Sequence, residues 1–160
     1  MEFTIRRATK TDMSRVLELI KELAVFEKEP EAVIVTEHQL IEDGFNEHPD
    51  FICFVAEVNN KIEGMALIYQ RYSTWKGKVI HLEDLIVNQE FRGCGIGSAL
   101  LDTVISYCGE LGVKRVSWEV LDWNTPAIRF YQQKGAHIKE DWKLVHLDEQ
   151  GIKNYISKLG

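Results

Sequence analysis

The sequence predicts an α/β fold of the α+β kind: one central mixed sheet, mostly antiparallel and flanked by helices, in a single domain spanning residues 1–160. Three observations carry this. Apolar, β-branched and aromatic runs at 51–58, 61–71 and 78–87 follow one another across short turns. Apolar residues at helical spacing lie on either side of them, first Met13, Val16, Leu17, Ile20 and Leu23, then Ile96, Leu100, Leu101, Val104, Cys108 and Leu111. At 160 residues, 45% of them apolar, the chain can build one core without disulfides.

Taken in order, Phe3-Thr4-Ile5-Arg6 alternates as a strand, and Thr9 with Asp12 resembles a capping box that opens a helix. The charged stretch from Glu27 to Glu31, broken by Pro30, ends that helix. Thr36 and Gln39 form a second capping-box signal for a short helix closing near Gly44. Asn59-Asn60 suits a tight hairpin whose central residues need positive φ, which makes 51–58 and 61–71 antiparallel neighbours. The strand at 78–87 leads into a glycine-rich turn and then the second long helix, which Gly112 terminates. Residues 113–121 read as a further strand. Asn124-Thr125-Pro126 caps a helix running to Gly135, 142–147 reads as the last strand, and the tail from Asp148 to Leu159 suits a terminal helix.

Composition excludes several classes of function. A formal net charge of -6 argues against broad nucleic-acid binding, which needs clustered Lys and Arg to displace phosphate counterions. No apolar run reaches the roughly 20 residues that span a bilayer, and Met1-Glu2-Phe3-Thr4-Ile5 lacks the order of a signal peptide, so a soluble protein with no membrane partner is expected. Cys53, Cys94 and Cys108 form no CxxC pair and no spaced framework. They read as reduced thiols of a cytoplasmic protein without a metal.

Gly93, Gly95 and Gly97 alternate between a strand and a helix, clearing side chains from a place where a ligand could approach the backbone. Outward N–H groups backed by a helix dipole make an anion site suited to a pyrophosphate. A Walker A loop would end in Gly-Lys-Ser/Thr, and a dinucleotide fingerprint would read GxGxxG; the turn fits neither. An ordinary strand-to-helix turn stays open as the alternative. Cys94, in the middle of it, reads as a bystander rather than a reactive thiol.

The run Arg92-Gly93-Cys94-Gly95-Ile96-Gly97 resembles the R/Q-x-x-G-x-G/A coenzyme A loop of the GNAT superfamily of N-acetyltransferases, and the order of elements is that of the GNAT-like domain. Leu82-Glu83-Asp84, Asn124-x-Pro126 and Phe130-Tyr131-x-x-x-Gly135-Ala136 are similar to the spermidine/spermine, or diamine, acetyltransferases, a likeness that runs from about Phe3 to Asp148. The resemblance implies acetyl-CoA as cosubstrate and a small-molecule amine as acceptor. It implies that Arg92, Gly93, Cys94, Gly95, Ile96, Gly97 and Ser98 hold the coenzyme, with the main chain of Leu85, Ile86 and Val87. It adds Asn124, Thr125, Pro126 and Ala127 along the pantetheine arm, and Phe26, Glu27, Asp84, Trp75 and Trp142 at or near the amine. Members often form dimers, so a homodimer is expected.

Acetyl transfer needs a neutral amine, yet a lysine-like ammonium titrates near pH 10.4, so a base or a water relay is required (pKa ~10.4). Glu83 and Asp84 interrupt an otherwise apolar strand, where unpaired buried charge is costly. Strand alternation would let at most one of them face a given cleft. The resemblance gives Glu83 the role of base; an ammonium anchor or a structural ion pair are the alternatives. Asp84 reads as cation binding or structure. The tetrahedral oxyanion could be met by backbone N–H groups if the sheet splays at the end of this strand. Tyr131, matching the family's acid, would protonate the departing thiolate, uphill by ~1.5 pKa units or about 2 kcal/mol for an unperturbed tyrosine. Asn124, Ala127 and Tyr131, spaced i, i+3, i+7, share one helix face over about 10 Å.

Phe26 stands where the close relatives often carry tyrosine, and Ser73 where they carry aspartate. A diamine or polyamine is the first reading; without that aspartate the case for a long polycation is weaker, and a shorter amine such as a diamine, thialysine or a lysine-like amino acid competes with it. Two other classes stay open: a coenzyme A-binding regulator without chemistry, and a protein-binding module that docks a basic partner on residues 27–31.

Overall fold

Five strands, β1 (Thr4–Arg7), β2 (Ile52–Val58), β3 (Lys61–Ser73), β4 (Gly77–Val87) and β5 (Val116–Ser117), form one sheet in that order. The computed structural model in which they are seen describes residues 1–160. β1 to β4 pair antiparallel and β5 joins β4 in parallel, which is the mixed, mostly antiparallel sheet expected. Contacts divide the chain into two units, Met1–Glu119 and Val120–Gly160, and the whole sheet lies in the first. No helix is long and apolar enough to cross a membrane.

The sheet has helices on both faces. Helices α1 (Met13–Phe26) and α2 (Glu37–Gly44) lay Met13, Val16, Leu19 and Leu40 on Cys53, Val55, Met65, Leu67 and Ile86. Helix α3 (Ile96–Leu111) takes the opposite face. Gly64, next to Met65 and so on the other side of β3, lies beneath it. A Cβ on Gly64 would lie 3.2 Å from both Ile96 and Leu100 and 3.1 Å from the Ile86 carbonyl, so α3 sits this close because the position has no side chain.

Local signals are realised as their chemistry requires. The Asp12 carboxylate accepts from the Thr9 amide at 2.7 Å and hydroxyl at 3.0 Å, and pairs with the Arg6 guanidinium at 2.8 and 3.0 Å. The Arg6 hydrogen bond is the main reason its carboxyl is held down at about 2. Thr36 accepts from the Gln39 amide, and Asn59 and Asn60 take φ of 49° and 62° in the β2–β3 turn. Gly112 ends α3 at φ 67°.

Two expected strands differ. Residues 113–121 contribute only Val116 and Ser117, because β5 has ladder partners only at Ile80 and His81. Residues 142–147 form no strand: Val145 is 86% exposed and the segment pairs with no other strand. A content of aromatic and aliphatic side chains records fitness for a half-buried pleated surface, and without a partner to supply ladder bonds it makes no strand. The second unit holds helix α4 (Thr125–Gln133), with Asn124 as N-cap and proline in its first turn, and the expected terminal helix α5 (Glu149–Ser157), capped by Asp148.

Candidate active site

β4 carries one residue too many for its partner. Asp84 pairs with Leu67 and Leu82 with Ile68, which leaves Glu83 with no residue opposite, a β-bulge that interrupts side-chain alternation. Its effect follows from the register. Asp84 lies opposite Leu67, whose side chain packs in the α1 core, while His81 lies opposite Tyr69, two residues along β3 and therefore on the same face as Leu67. His81 and Asp84, three apart in sequence, thus share a face. Glu83 joins them, its Oε2 at 3.7 Å from His81 Nε2. The expectation that at most one of the two carboxylates faces a given cleft is corrected here, since it assumed an unbroken strand. Glu83 is also not buried; its side chain is 52% exposed.

The group is electrostatically unusual. Burial, then the neighbouring charges of Glu83 and Glu27, push Asp84 up to about 6. Burial also raises Glu27, which follows directly on α1. Three carboxylates therefore converge at the end of α1 and the bulge of β4, where a cation would relieve their repulsion. His81 is buried among charged neighbours: its Nδ1 is 3.1 Å from Ser117 Oγ, and the Tyr69 ring stands 5.3 Å from its own. Burial lowers its pKa most, opposed by the Glu83 charge.

Beyond His81, β4 and β5 part, so one edge of Leu82–Val87 has no strand partner. Asn88 then turns the chain, its amide donating to the Glu63 carbonyl at 2.8 Å and its Nδ2 to the Glu63 carboxylate at 2.6 Å. Gly93 and Gly95 adopt φ of 78° and 87°, and a Cβ on either would meet nothing within 4 Å. Glycine is needed there for backbone conformation and leaves open space beside it. The first backbone bond into α3 runs from the Ala99 amide to Gly95 at 3.0 Å, so the amides of Ile96, Gly97 and Ser98 stand free at the positive end of the helix. Arg92 fastens the turn, its Nε donating to the Val87 carbonyl at 3.0 Å and its guanidinium lying 5.4 Å from the Phe26 ring centroid. The residues present fit a pyrophosphate.

In the second unit, Asn124 Oδ1 accepts from the Ala127 amide at 3.4 Å, and Tyr131 on the same helix is buried. The Phe130 and Tyr131 rings lie 5.4 Å apart, and Gly135, at φ 88°, ends the turn after α4.

The sequence profile described as the acetyltransferase (GNAT) family matches residues 13–136, more than half of the chain. This chain belongs to the GNAT family. A thialysine N-epsilon-acetyltransferase of Bos taurus is 36% identical over 165 residues, covering 96% of this chain and 97% of the relative. A spermidine/spermine N(1)-acetyltransferase-like protein 1 of Homo sapiens is 34% identical over 160 residues, covering 94% of this chain and 23% of that longer protein. Among solved structures, an integron cassette protein from the V. cholerae mobile metagenome superposes with a TM-score of 0.79 at 22% identity, covering 98% of each chain, and so supports the fold. The protein is an acetyl-CoA-dependent N-acetyltransferase.

For a GNAT enzyme, the residues of the expected site fall into two sets. Phe26, Glu27, Glu83, Asp84 and Leu85–Val87 gather with the turn Arg92–Ser98 in the first unit, while Asn124–Ala127, Tyr131 and Trp142 belong to the second. Trp75 and Trp142 are 79% and 66% exposed. Ser73 Oγ accepts from the amides of Trp75 and Lys76 at 3.2 Å each, and so caps the β3–β4 turn. Cys94 is exposed beside the free amides. His81 went unrecognised in the sequence; a histidine two residues before a candidate base on a strand, and hence on its face, was the available signal.

Proposed function

We propose that this GNAT enzyme acetylates a terminal primary amine of a small cationic molecule, a diamine or polyamine first. The observation that carries the reading is the convergence of Glu27, Glu83 and Asp84 at the bulge, next to the glycine turn. Glu83 takes the ammonium proton, and Asp84 with Glu27 binds the remaining positive charge of the substrate. Arg92 and the amides of Gly93–Ser98 receive the pyrophosphate of acetyl-CoA, and the open edge of Leu85, Ile86 and Val87 aligns its arm and meets the developing oxyanion. Asn124, Thr125, Pro126 and Ala127 line the pantetheine, and Tyr131 is the acid for the thiolate.

A lysine-like amino acid such as thialysine is the second reading, supported by the bovine relative's name and by a serine, not a carboxylate, at position 73. A panel of putrescine, spermidine, spermine, thialysine, lysine and simple monoamines separates the two. Amines with a second positive charge are expected to exceed monoamines of equal length by about tenfold in kcat/KM, with polyamines ahead of thialysine. The reverse order would select the second reading, and Ser73→Asp should raise spermine turnover while keeping the turn, since aspartate caps it equally well.

A homodimer belongs to the same proposal, supported by the exposed apolar side chains of Leu144, Val145, Leu147, Tyr155 and Ile156. Light scattering is expected to give twice the chain mass of 18.5 kDa, and a single-chain mass would remove it.

A further inference from the structure

We propose that His81 is the second station of the proton path, taking from Glu83 the proton that Glu83 removes from the substrate ammonium, with Ser117 holding the imidazole in place. The inference rests on the reading of Glu83 as base. Its ground is geometric. Tyr69, His81 and Ser117 are opposite one another on β3, β4 and β5, and Glu83, two residues after His81, lies on their face. His81 Nε2 is 3.7 Å from Glu83 Oε2 and Nδ1 is 3.1 Å from Ser117 Oγ, so the ring spans the gap between a half-exposed carboxylate and the strand edge. With Nδ1–H donated to Ser117, Nε2 keeps its lone pair toward Glu83.

The surrounding groups suit a transient cation. Glu83 on β4 and Glu119 just past β5 favour the protonated ring, and Arg71 on β3 and burial disfavour it; the Tyr69 ring is tilted by 48° against the imidazole, and its hydroxyl is hydrogen-bonded to the Glu83 carboxylate. The net result is a ring that is neutral at rest and ready to accept. Such a station matters while bound substrates cover the half-exposed side of Glu83, when its proton cannot pass directly to water. An alkylammonium carries three protons on nitrogen and the amide product keeps one. One leaves before attack, to Glu83 and then His81 Nε2, while His81 gives up its Nδ1 proton to the partly exposed Ser117 hydroxyl, which passes one on to solvent. The amine lone pair then forms the C–N bond as the C–S bond breaks, and the remaining proton goes with the thiolate. His81 touches no reacting atom, so its part is relay and positioning through Glu83.

The test compares Glu83→Gln and His81→Gln in acetyl transfer to the best amine of the panel, with melting temperature and acetyl-CoA affinity as controls of folding. Glutamine keeps the size of the ring and a bond to Ser117 but cannot carry a proton. His81→Gln is expected to lower kcat about tenfold with both KM values within about threefold, and to convert a curved proton inventory in mixed H2O and D2O into a straight line. In the double variant it should add nothing to Glu83→Gln, as two members of one path do. Full kcat and an unchanged inventory in His81→Gln, with Glu83→Gln impaired, would overturn the relay alone. Full activity in Glu83→Gln would overturn the base reading and the relay with it. If His81→Gln does not fold, Ser117→Ala serves: a smaller fall in kcat with a flattened inventory is expected, and wild-type behaviour in it would equally refute the relay.

Discussion

Glu83→Gln is expected to reduce kcat by about 100- to 1,000-fold at pH 7 while leaving the KM for acetyl-CoA within about threefold. The size follows from what the carboxylate supplies. A lysine-like ammonium is overwhelmingly protonated at neutrality, so without a base the enzyme must wait for the rare neutral amine. Glutamine preserves shape and can still bond the amine, but accepts no proton. The carboxylate is well placed to meet an incoming ammonium because its side chain remains half exposed at the bulge. The defect should shrink as pH rises toward the amine pKa, since hydroxide and water then supply what Glu83 did. A pH profile of kcat/KM for variant and wild type checks this. Parallel profiles with the same deficit at pH 7 and pH 10 would argue that Glu83 only anchors the substrate.

Much of this arrangement was legible because it is local. Capping boxes at Thr9 and Thr36, the Asn59-Asn60 turn and the Gly112 helix end each depend on a few adjacent residues, and each is present. The glycine turn was equally readable, since φ of 78° and 87° are demands on single residues. What could not be read is set by pairing at a distance. The bulge exists because β3 and β4 differ by one residue between Leu67 and Ile68, and no property of Glu83 announces it. Yet the bulge decides that Glu83, Asp84 and His81 share a face. The missing strand at 142–147 has the same origin in reverse: its aromatic and aliphatic side chains suit a strand, but strand formation needs a partner, and composition says nothing about partners.

Asp84→Asn is expected to stabilise the fold at pH 8 while weakening the amine, raising its KM about 50-fold. Burial and two neighbouring carboxylates raise this carboxyl from 3.8 to about 6 in the folded state. Between these values the folded chain holds a proton that the unfolded chain has released, so stability falls as pH rises through that window and is flat above it. At 1.36 kcal/mol per pH unit, reduced for the water that reaches a half-buried group, the wild type forgoes about 2 kcal/mol at pH 8. Asparagine cannot ionise and should recover it, raising Tm by about 5 °C at pH 8 and by nothing below pH 4. A residue that costs stability in its charged form beside Glu83 is explained by a ligand that repays the cost, and on the proposed function a cationic amine is such a ligand. Saturating amine should therefore raise the Tm of the wild type more than that of the variant. Thermal unfolding from pH 4 to pH 8, with and without amine, together with KM values, checks both halves. A variant less stable than wild type at pH 8, or one with an unchanged amine KM, would show that Asp84 is held in place by structure and not by substrate.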